Sequence, residues 1–121
     1  MDVKFDGDRI VIDGNEHRLE KKIRKVVPLD DKVVVLFRHG DYDETDFSQK
    51  RNVIALDRRG KMLWRIQESS EWVQEGKELA NPYIGVGFRD EGERIVACDM
   101  GGMDADLDPE TGTLSNIRFS K

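Results

Sequence analysis

Carboxylates at alternate positions near the end of the chain are the residues whose type and spacing could perform chemistry. Asp104, Asp106 and Asp108 are each two positions apart, and Asp99 lies a few residues earlier. Because successive side chains of a strand point to opposite faces, the three alternating aspartates would share one face. Such a cluster, with Asp99 and His39, could bind a metal ion or a small ligand, or transfer protons in a small enzyme.

The same alternation has a structural interpretation, which we favour over the catalytic one. Ala105 and Leu107 occupy the intervening positions and would point inward, so the aspartates would form the solvent-facing side of an edge strand. Acid–base catalysis would need the carboxylates paired in a cleft with shifted pKa values. Inward–outward alternation accounts for every residue without that requirement, so we predict no catalytic residues.

A second acidic segment, from His39 to Asn52, contains almost no apolar residues and is predicted to form an exposed loop. Its alternating oxygen-bearing side chains resemble the start of a calcium-binding loop. However, Asp46 stands where such a loop needs glycine, and Asn52 stands where it needs glutamate. A solvated acidic loop is the simpler interpretation, and a contact surface for a basic partner is the functional one. The residues that would form this surface are Asp41, Asp43, Glu44 and Asp46.

Aromatic residues suggest where a protein partner would bind. Trp64 lies within a strand pattern and is expected to pack in the core or between sheets. Trp72 instead lies in the polar connection 68–82, and Tyr83 follows directly after it. Loop aromatics either anchor an interface, since they bring a large area at low entropic cost, or fold back over an open sheet end. We take Trp72 and Tyr83 as candidate partner-binding residues.

Other signals of catalysis or cofactor binding are weak. Cys98, the single cysteine, lies in an alternating apolar run and is expected to be a buried, inert thiol. His17 and His39 are too few for a recognisable metal motif, and no serine has the flanking glycines of a nucleophile elbow. The Gly85-Val86-Gly87 segment falls within a strand, which excludes a phosphate-binding loop between a strand and a helix. We therefore expect no metal and no cofactor.

The chain has 121 residues and a net charge of −5, with 37% charged and 37% hydrophobic residues. This balance is typical of a folded domain and opposes non-specific binding to nucleic acid or anionic membranes. A basic patch between Arg18 and Lys25 lacks the aromatic residues of RNA-binding motifs. No apolar run approaches the roughly 20 residues that cross a bilayer, and the first residues lack the apolar centre of an export signal. We therefore expect a cytoplasmic protein.

Short apolar runs bounded by Gly, Asp and Pro predict an all-β fold, an antiparallel meander of about ten short strands. Pro28 cannot donate to a β-ladder, so we expect it at an edge or at the end of a strand. The predicted strands are Val3 to Phe5, Ile10 to Ile12, Val26 to Leu29, Val33 to Phe37, Val53 to Asp57, Met62 to Gln67, Tyr83 to Phe88, Arg94 to Cys98, Asp104 to Asp108 and Leu114 to Phe119.

Two segments of the chain repeat one pattern. Residues 54–66 and 105–117 share Leu-Asp, a short turn, Gly, and then Leu and Ile at spaced positions. In such a turn the Asp side chain accepts backbone N–H groups, and Gly adopts the left-handed conformation. We predict one domain, which comprises an N-terminal hairpin and connection (1–22), a four-stranded meander (23–67) and a second four-stranded meander (83–119).

These turns resemble a known repeat. Ala55-Leu56-Asp57, with Gly60 and Trp64, resembles the blade-closing motif of quinoprotein-type (PQQ) β-propellers, Ala-x-Asp-x-x-Thr-Gly-x-x-x-Trp, shortened by one turn residue. Residues 108–112 are similar to the full-length turn, although aspartate and asparagine replace the alanine and the tryptophan of the motif. The whole chain resembles small uncharacterised bacterial proteins made of about two such blades. The resemblance implies propeller-like blade topology but no quinone chemistry, since complete quinoproteins need many more blades.

Our functional hypothesis is a non-catalytic cytosolic protein that acts through protein–protein contact, at the face that carries the two long loops. An acidic domain of this kind could serve as an immunity or inhibitor partner of a basic toxin or nuclease. One alternative is a small ligand- or metal-binding enzyme that uses Asp99, Asp104 and Asp106. Another is a structural subunit that completes a propeller by self-association. Two blades cannot close a ring and leave sheet edges to be protected, and we favour a monomer or a weak homodimer.

Overall fold

The computed structural model describes residues 1–38, 51–66, 83–89, 94–99 and 102–119. These residues form eleven β-strands in three antiparallel sheets and confirm the predicted all-β fold. Within the same residues no helix is long and apolar enough to cross a membrane. The strands are β1 (Val3–Asp6), β2 (Arg9–Ile12), β3 (Asn15–Arg18), β4 (Ile23–Pro28), β5 (Lys32–Phe37), β6 (Val53–Asp57), β7 (Met62–Arg65), β8 (Tyr83–Arg89), β9 (Arg94–Asp99), β10 (Met103–Leu107) and β11 (Leu114–Phe119).

Each sheet is a meander in which strands that follow each other in the chain lie side by side. The N-terminal sheet contains β1 to β3, the middle sheet contains β4 to β7, and the C-terminal sheet contains β8 to β11. The middle and C-terminal sheets fall within the two four-stranded meanders predicted for residues 23–67 and 83–119.

The N-terminal sheet has one strand more than the predicted hairpin. The sequence pattern predicts one hairpin and a connection over residues 1–22, whereas a third strand, β3, begins at Asn15 and pairs along the whole of β2. Asp13 and Gly14 have φ values of 49° and 85°, the conformation of a tight two-residue hairpin turn. The side chains of β3 are mostly exposed. A strand at the edge of a sheet needs no apolar residues, so hydrophobic alternation could not reveal it.

The middle sheet lies between the other two, and both of its faces are buried. All six residues of β5 are buried. Val33, Val35 and Phe37 pack against the N-terminal sheet, whereas Val34 and Leu36 pack against the C-terminal sheet. When both faces of a strand are covered, all of its side chains are buried, so its sequence is a continuous run of apolar residues. Alternate side chains of this one strand therefore belong to two different cores.

One contact recurs between neighbouring sheets. The third residue of the last strand of one sheet packs on a turn glycine of the next: His17 packs on Gly60, and Trp64 packs on Gly112. A Cβ atom on either glycine would lie 2.5 Å from the facing ring, which is too close for any side chain. The Trp64 indole N–H also donates a hydrogen bond to the Pro109 carbonyl at 2.8 Å. The ring thus fills a space that only glycine leaves open.

The turns that carry these glycines are built as the sequence pattern predicts. Asp57 Oδ1 accepts two backbone N–H groups of its own turn, at 2.8 and 2.9 Å. Asp108 Oδ1 accepts one at 2.9 Å. Gly60 and Gly112 have φ values of 83° and 78°, in the left-handed region that favours glycine. The predicted roles of aspartate and glycine in these two turns are confirmed.

Asn52 joins the middle and C-terminal sheets through buried hydrogen bonds. Its amide nitrogen donates to the Phe37 carbonyl at 3.0 Å and to the Tyr83 carbonyl at 2.8 Å, while its Oδ1 accepts the Tyr83 N–H at 2.7 Å. The sequence pattern places Asn52 at the end of an exposed loop, which is wrong, because 3% of its surface is exposed. The Asn52 side chain thus bonds both backbone groups of Tyr83, the first residue of β8, as the backbone of a neighbouring strand would.

The edge strands of the two four-stranded sheets are irregular. Register shifts interrupt the β4–β5, β6–β7, β8–β9 and β10–β11 pairings, each of which includes an edge strand. The central pairings, β5–β6 and β9–β10, are regular. Pro28 ends the edge strand β4, as predicted. Bulges and proline at an edge hinder pairing with a strand of another molecule.

We expect Gly112→Ala to lower the free energy of unfolding by about 2–5 kcal/mol, since it adds both backbone strain and a clash with the Trp64 ring. Gly14→Ala is the matched control, because Gly14 also has a positive φ but nothing lies within 4 Å of its would-be Cβ. That variant should lose about 1–2 kcal/mol, from the backbone alone. Urea unfolding measures both values, and equal losses would contradict a tight Trp64 contact.

Asn52→Ala should lower the free energy of unfolding by about 3 kcal/mol or more. The substitution leaves the Phe37 carbonyl and both backbone groups of Tyr83 without their buried hydrogen bonds, and each such group costs about 1–3 kcal/mol. Urea unfolding of the variant beside the wild-type chain gives the difference. A loss below about 1 kcal/mol would show that these hydrogen bonds do not join the sheets.

Candidate functional site

Phe88 lies near the end of β8 and keeps 49% of its surface exposed, although the strand pattern directs its side chain inward. Its partner across the β8–β9 pair is Ile95, a buried residue of the core between the middle and C-terminal sheets. Val86, two residues earlier, belongs to the same core. Phe88 therefore faces the space between the two sheets at a place where that space opens to solvent.

A groove with two adjoining parts borders Phe88. The first part, of about 350 Å³, has mainly apolar walls, and the second, of about 590 Å³, also has charged walls. We call the two parts together the Phe88 groove. The first part is lined by Leu29, Phe88, Arg94, Ile95, Asp106, Leu107 and Pro109. The second part is lined by Met1, Pro28, Leu29, Asp30, Asp31, Lys32, Phe88, Pro109 and Glu110.

The groove brings together segments that are distant in the chain. Met1 precedes the N-terminal sheet, Leu29 follows β4, Phe88 belongs to β8, and Pro109 lies in the turn before β11. The Trp64 indole, through its hydrogen bond to Pro109, helps to hold the wall that this turn forms. The shape of the groove thus depends on the packing of the sheets rather than on any one loop.

A buried lysine holds two of the turns that border the groove. Lys32 Nζ lies 2.9 Å from Asp31 Oδ1 and 3.0 Å from Glu110 Oε1, and 4% of the lysine side chain is exposed. The hydrogen bond with Asp31, together with that to Glu110, raises the pKa of Lys32 above its usual value. Lys32 belongs to the middle sheet and Glu110 to a turn of the C-terminal sheet. The ion pair therefore helps to set the distance between two walls of the groove.

The second part of the groove is acidic. Asp30, Asp31 and Glu110 contribute three carboxylates, and Lys32 contributes one ammonium group. Lys32 bonds one oxygen of Asp31 and one of Glu110, and both carboxylates remain largely exposed. Arg58 also reaches this turn, where its guanidinium donates to the backbone carbonyl of Asp30. With Arg58 counted beside the lining side chains, three carboxylates face two cationic groups, so the charge beside the apolar surface is net negative.

The carboxylates of β10 are engaged in ion pairs on the outer face of the C-terminal sheet. The prediction that they face solvent is wrong, because 13% of the Asp104 side chain and 16% of the Asp106 side chain are exposed. Asp104 lies 3.0 Å from Arg89 and 3.4 Å from Arg118. Asp106 lies 3.1 Å from Arg94 and 3.3 Å from the same Arg118. Arg118 of β11 thus bridges the two aspartates. Arg89 of β8 and Arg94 of β9 complete the network, with one aspartate each.

The charge state of this network argues against acid–base catalysis. A hydrogen bond from Asn116 at 2.7 Å, supported by Arg118 and Arg94, holds the pKa of Asp106 below its usual value. A carboxyl group with a lowered pKa is ionised at neutral pH and makes a poor proton donor. In the part of the chain that the structure describes, no three potential metal-binding side chains come together. The geometry favours a structural role for Asp104 and Asp106.

The third predicted carboxylate, Asp99, is directed by strand alternation to the face of the sheet opposite Asp104. Asp99 pairs with Tyr83 at the end of β9 and is buried. Strand alternation directs it away from the face of Cys98, which is the neighbour of Asp104 across the β9–β10 pair. His39, the fourth residue of the enzyme hypothesis, lies outside the described residues.

The residues that flank these carboxylates behave largely as predicted. Ala105 and Leu107 are buried in the core between the middle and C-terminal sheets. However, β10 lies between β9 and β11, so its prediction as an edge strand is wrong. Cys98 is half-buried, and this burial raises the pKa of its thiol, which disfavours the reactive thiolate.

Tyr83 is the one predicted partner-binding residue within the described part of the chain, and it does not face solvent. Its side chain is completely buried in the core between the middle and C-terminal sheets. Tyr83 is the first residue of β8, and its side chain packs in that core. Tyr83 is therefore removed from the predicted partner surface. The residues Asp41, Asp43, Glu44, Asp46 and Trp72 lie outside the described residues.

The sequence pattern did not identify the Phe88 groove. Phe88 occupies an inward position of a predicted strand, where a buried side chain is the natural expectation. A weak signal was present in Leu29 and Pro109, which are apolar residues beside turns. Their convergence with Phe88 depends on how the sheets pack, and no local pattern encodes it.

We expect the free energy of unfolding to fall as the pH drops below about 4. The pKa values of Asp57 and Asp106 are lowered in the folded chain, by backbone N–H groups and by Asn116 respectively. Their contribution is therefore complete above the unfolded-state pKa and is lost as the pH falls through the folded-state pKa. Urea unfolding between about pH 2.5 and pH 7 measures this loss. Asp106→Asn should make the decline shallower, and an unchanged decline would contradict the assigned role of Asp106.

Comparison with known proteins adds a family to this description. No curated protein matches the chain at a significant level. A family model described as a domain of unknown function, DUF7957, matches residues 1–119, which include all three sheets. The chain therefore belongs to the DUF7957 family.

Proposed function

We propose that this chain is a non-catalytic, cytosolic protein-interaction module and that the Phe88 groove is its contact surface. The observation that carries the proposal is the half-exposed Phe88 at the open end of an otherwise buried core. Large aromatic side chains beside a concave apolar surface are typical anchors of protein interfaces, because they remove much area from water at little entropic cost. In this proposal the blade-like sheets are the rigid support of the groove.

The walls of the groove are held before any partner arrives. Trp64 bonds the carbonyl of Pro109, and Lys32 bonds Glu110 in the same turn. Asn52 fixes the first residue of the strand that carries Phe88. A surface that is already ordered loses little conformational entropy on binding, so a larger part of the contact energy appears as affinity.

The two alternative functions have less support. The enzyme hypothesis needs available carboxylates, whereas Asp104 and Asp106 are paired with arginines. The self-association hypothesis needs a sheet end that can receive another sheet. The outer face of the N-terminal sheet carries the ion pair of Arg9 with Glu16, and that of the C-terminal sheet carries the arginine–aspartate network. Charged outer faces and bulged edges are typical of repeats that end a stack.

The acidic part of the groove extends the proposal to the charge of the partner. Asp30, Asp31 and Glu110 border the apolar walls, and the whole chain has a net charge of −5. Charge complementarity speeds association and excludes partners of like charge. An immunity or inhibitor role toward a basic protein is the specific form of this proposal.

We expect Phe88→Asp to weaken binding of the natural partner by about 30-fold or more, the loss that is typical of an interface anchor. The measurement is quantitative affinity capture from cells of the source organism, followed by titration of the captured protein. Met62→Asp is the matched control, because Met62 is 50% exposed and lies outside the groove. Both variants should melt near the wild-type temperature. Equal binding by the two variants, or no specific capture by the wild-type chain, would contradict the proposal.

A further inference from the structure

Resting on the proposed function, we infer that the Phe88 groove binds an extended segment of a basic protein, in which one large apolar side chain lies next to lysine or arginine residues. The two parts of the groove differ in chemistry, and each specifies one feature of the segment. The apolar part specifies the anchor, and the acidic part specifies the charge beside it.

The apolar part is matched to one large side chain. Its volume of about 350 Å³ is at the low end of the range of ligand-binding pockets. Leu29, Phe88, Ile95, Leu107 and Pro109 provide its apolar walls. Its two charged residues, Arg94 and Asp106, are paired with each other at 3.1 Å, so they present little net charge to an occupant. A leucine, phenylalanine or tryptophan side chain would contact apolar walls here without leaving a charged group unpaired.

The acidic part selects a positive charge next to that anchor. Asp31 and Glu110 share the single ammonium group of Lys32, and Asp30 adds a third carboxylate. Lys32 also lines this part, but 4% of its side chain is exposed against more than 70% of the Asp31 and Glu110 side chains, so the carboxylates provide most of the exposed charged surface. Leu29, Phe88 and Pro109 border both parts. A cation that follows the apolar anchor by one or two residues would therefore reach the acidic part.

The test uses short synthetic peptides with a fluorescent label, each with one central phenylalanine in a Gly/Ser background. The flanking residues are lysine in one set and glutamate in the other, and a third set has lysine flanks with a central alanine. Binding to the full-length chain is measured by fluorescence anisotropy at low and high salt. We expect the lysine-flanked phenylalanine set to bind at least about tenfold more tightly than either other set.

Three variants separate the anchor from the charge. Phe88→Asp should abolish binding of every peptide, whereas Met62→Asp should leave it unchanged. Asp30→Asn and Glu110→Gln should each weaken the lysine-flanked peptide by about two- to fivefold, as is typical of exposed charges, with no effect at high salt. Asp30→Asn leaves the Lys32 ion pairs in place, so its effect does not depend on the stability of the groove.

Different failures would overturn different claims. If phenylalanine peptides bind irrespective of flanking charge and Phe88→Asp abolishes binding, the inferred charge is wrong and the interaction module stands. If no peptide binds while Phe88→Asp still abolishes capture of a cellular partner, the groove receives a folded surface and the extended segment is wrong. If sedimentation shows a concentration-dependent dimer that Phe88→Asp dissociates, the occupant is a second copy and the inference is wrong. If Phe88→Asp and Met62→Asp behave alike in every assay, both the inference and the proposed function fail.

Discussion

The contact between the Trp64 indole and the turn at residues 108–112 is the interaction on which the rest of the structure depends. It joins the middle and C-terminal sheets, since the ring lies against Gly112 and its N–H bonds the Pro109 carbonyl. A buried aromatic side chain contributes a large apolar area, and its polar atom must find a partner. Here both needs are met by one turn, and the absence of a Cβ atom at Gly112 makes the approach possible. The same turn forms a wall of the Phe88 groove.

Polar groups, rather than apolar packing alone, decide how the sheets are placed relative to each other. Apolar packing is not directional, so two sheets could slide without losing much buried area. Asn52 and Lys32 remove that freedom, because each is buried and each bonds groups of both the middle and the C-terminal sheet. A buried polar group whose partners are all present specifies one arrangement, since any other would leave it unsatisfied.

The distribution of charge distinguishes the surfaces that end the stack from the surface that we propose to bind a partner. On the outer face of the C-terminal sheet, Asp104 and Asp106 are paired with arginines. Beside the Phe88 groove, Asp31 and Glu110 share the ammonium group of Lys32, and Asp30 adds a third carboxylate. Paired charges on a sheet face present little net charge to another molecule, whereas an acidic margin around an apolar groove attracts a basic, apolar segment.

Local chemistry was sufficient for the strands and their turns. Alternation and turn residues predicted β6 and β11 with the observed bounds, the inward orientation of Ala105 and Leu107, and the roles of Asp57 and Gly60. Each of these depends on neighbours within a few residues, so a short stretch of sequence contains the information.

Only the tertiary structure decided which predicted side chains meet solvent. The sequence pattern predicts an exposed Tyr83 and a buried Phe88 at the two ends of one strand, yet Tyr83 is buried and Phe88 is half-exposed. Asn52 and Asp104 likewise depend on partners contributed by distant strands. The physical reason is that exposure follows from where two sheets overlap and where they separate. That overlap is set by contacts such as Trp64 with Gly112, between residues far apart in the chain.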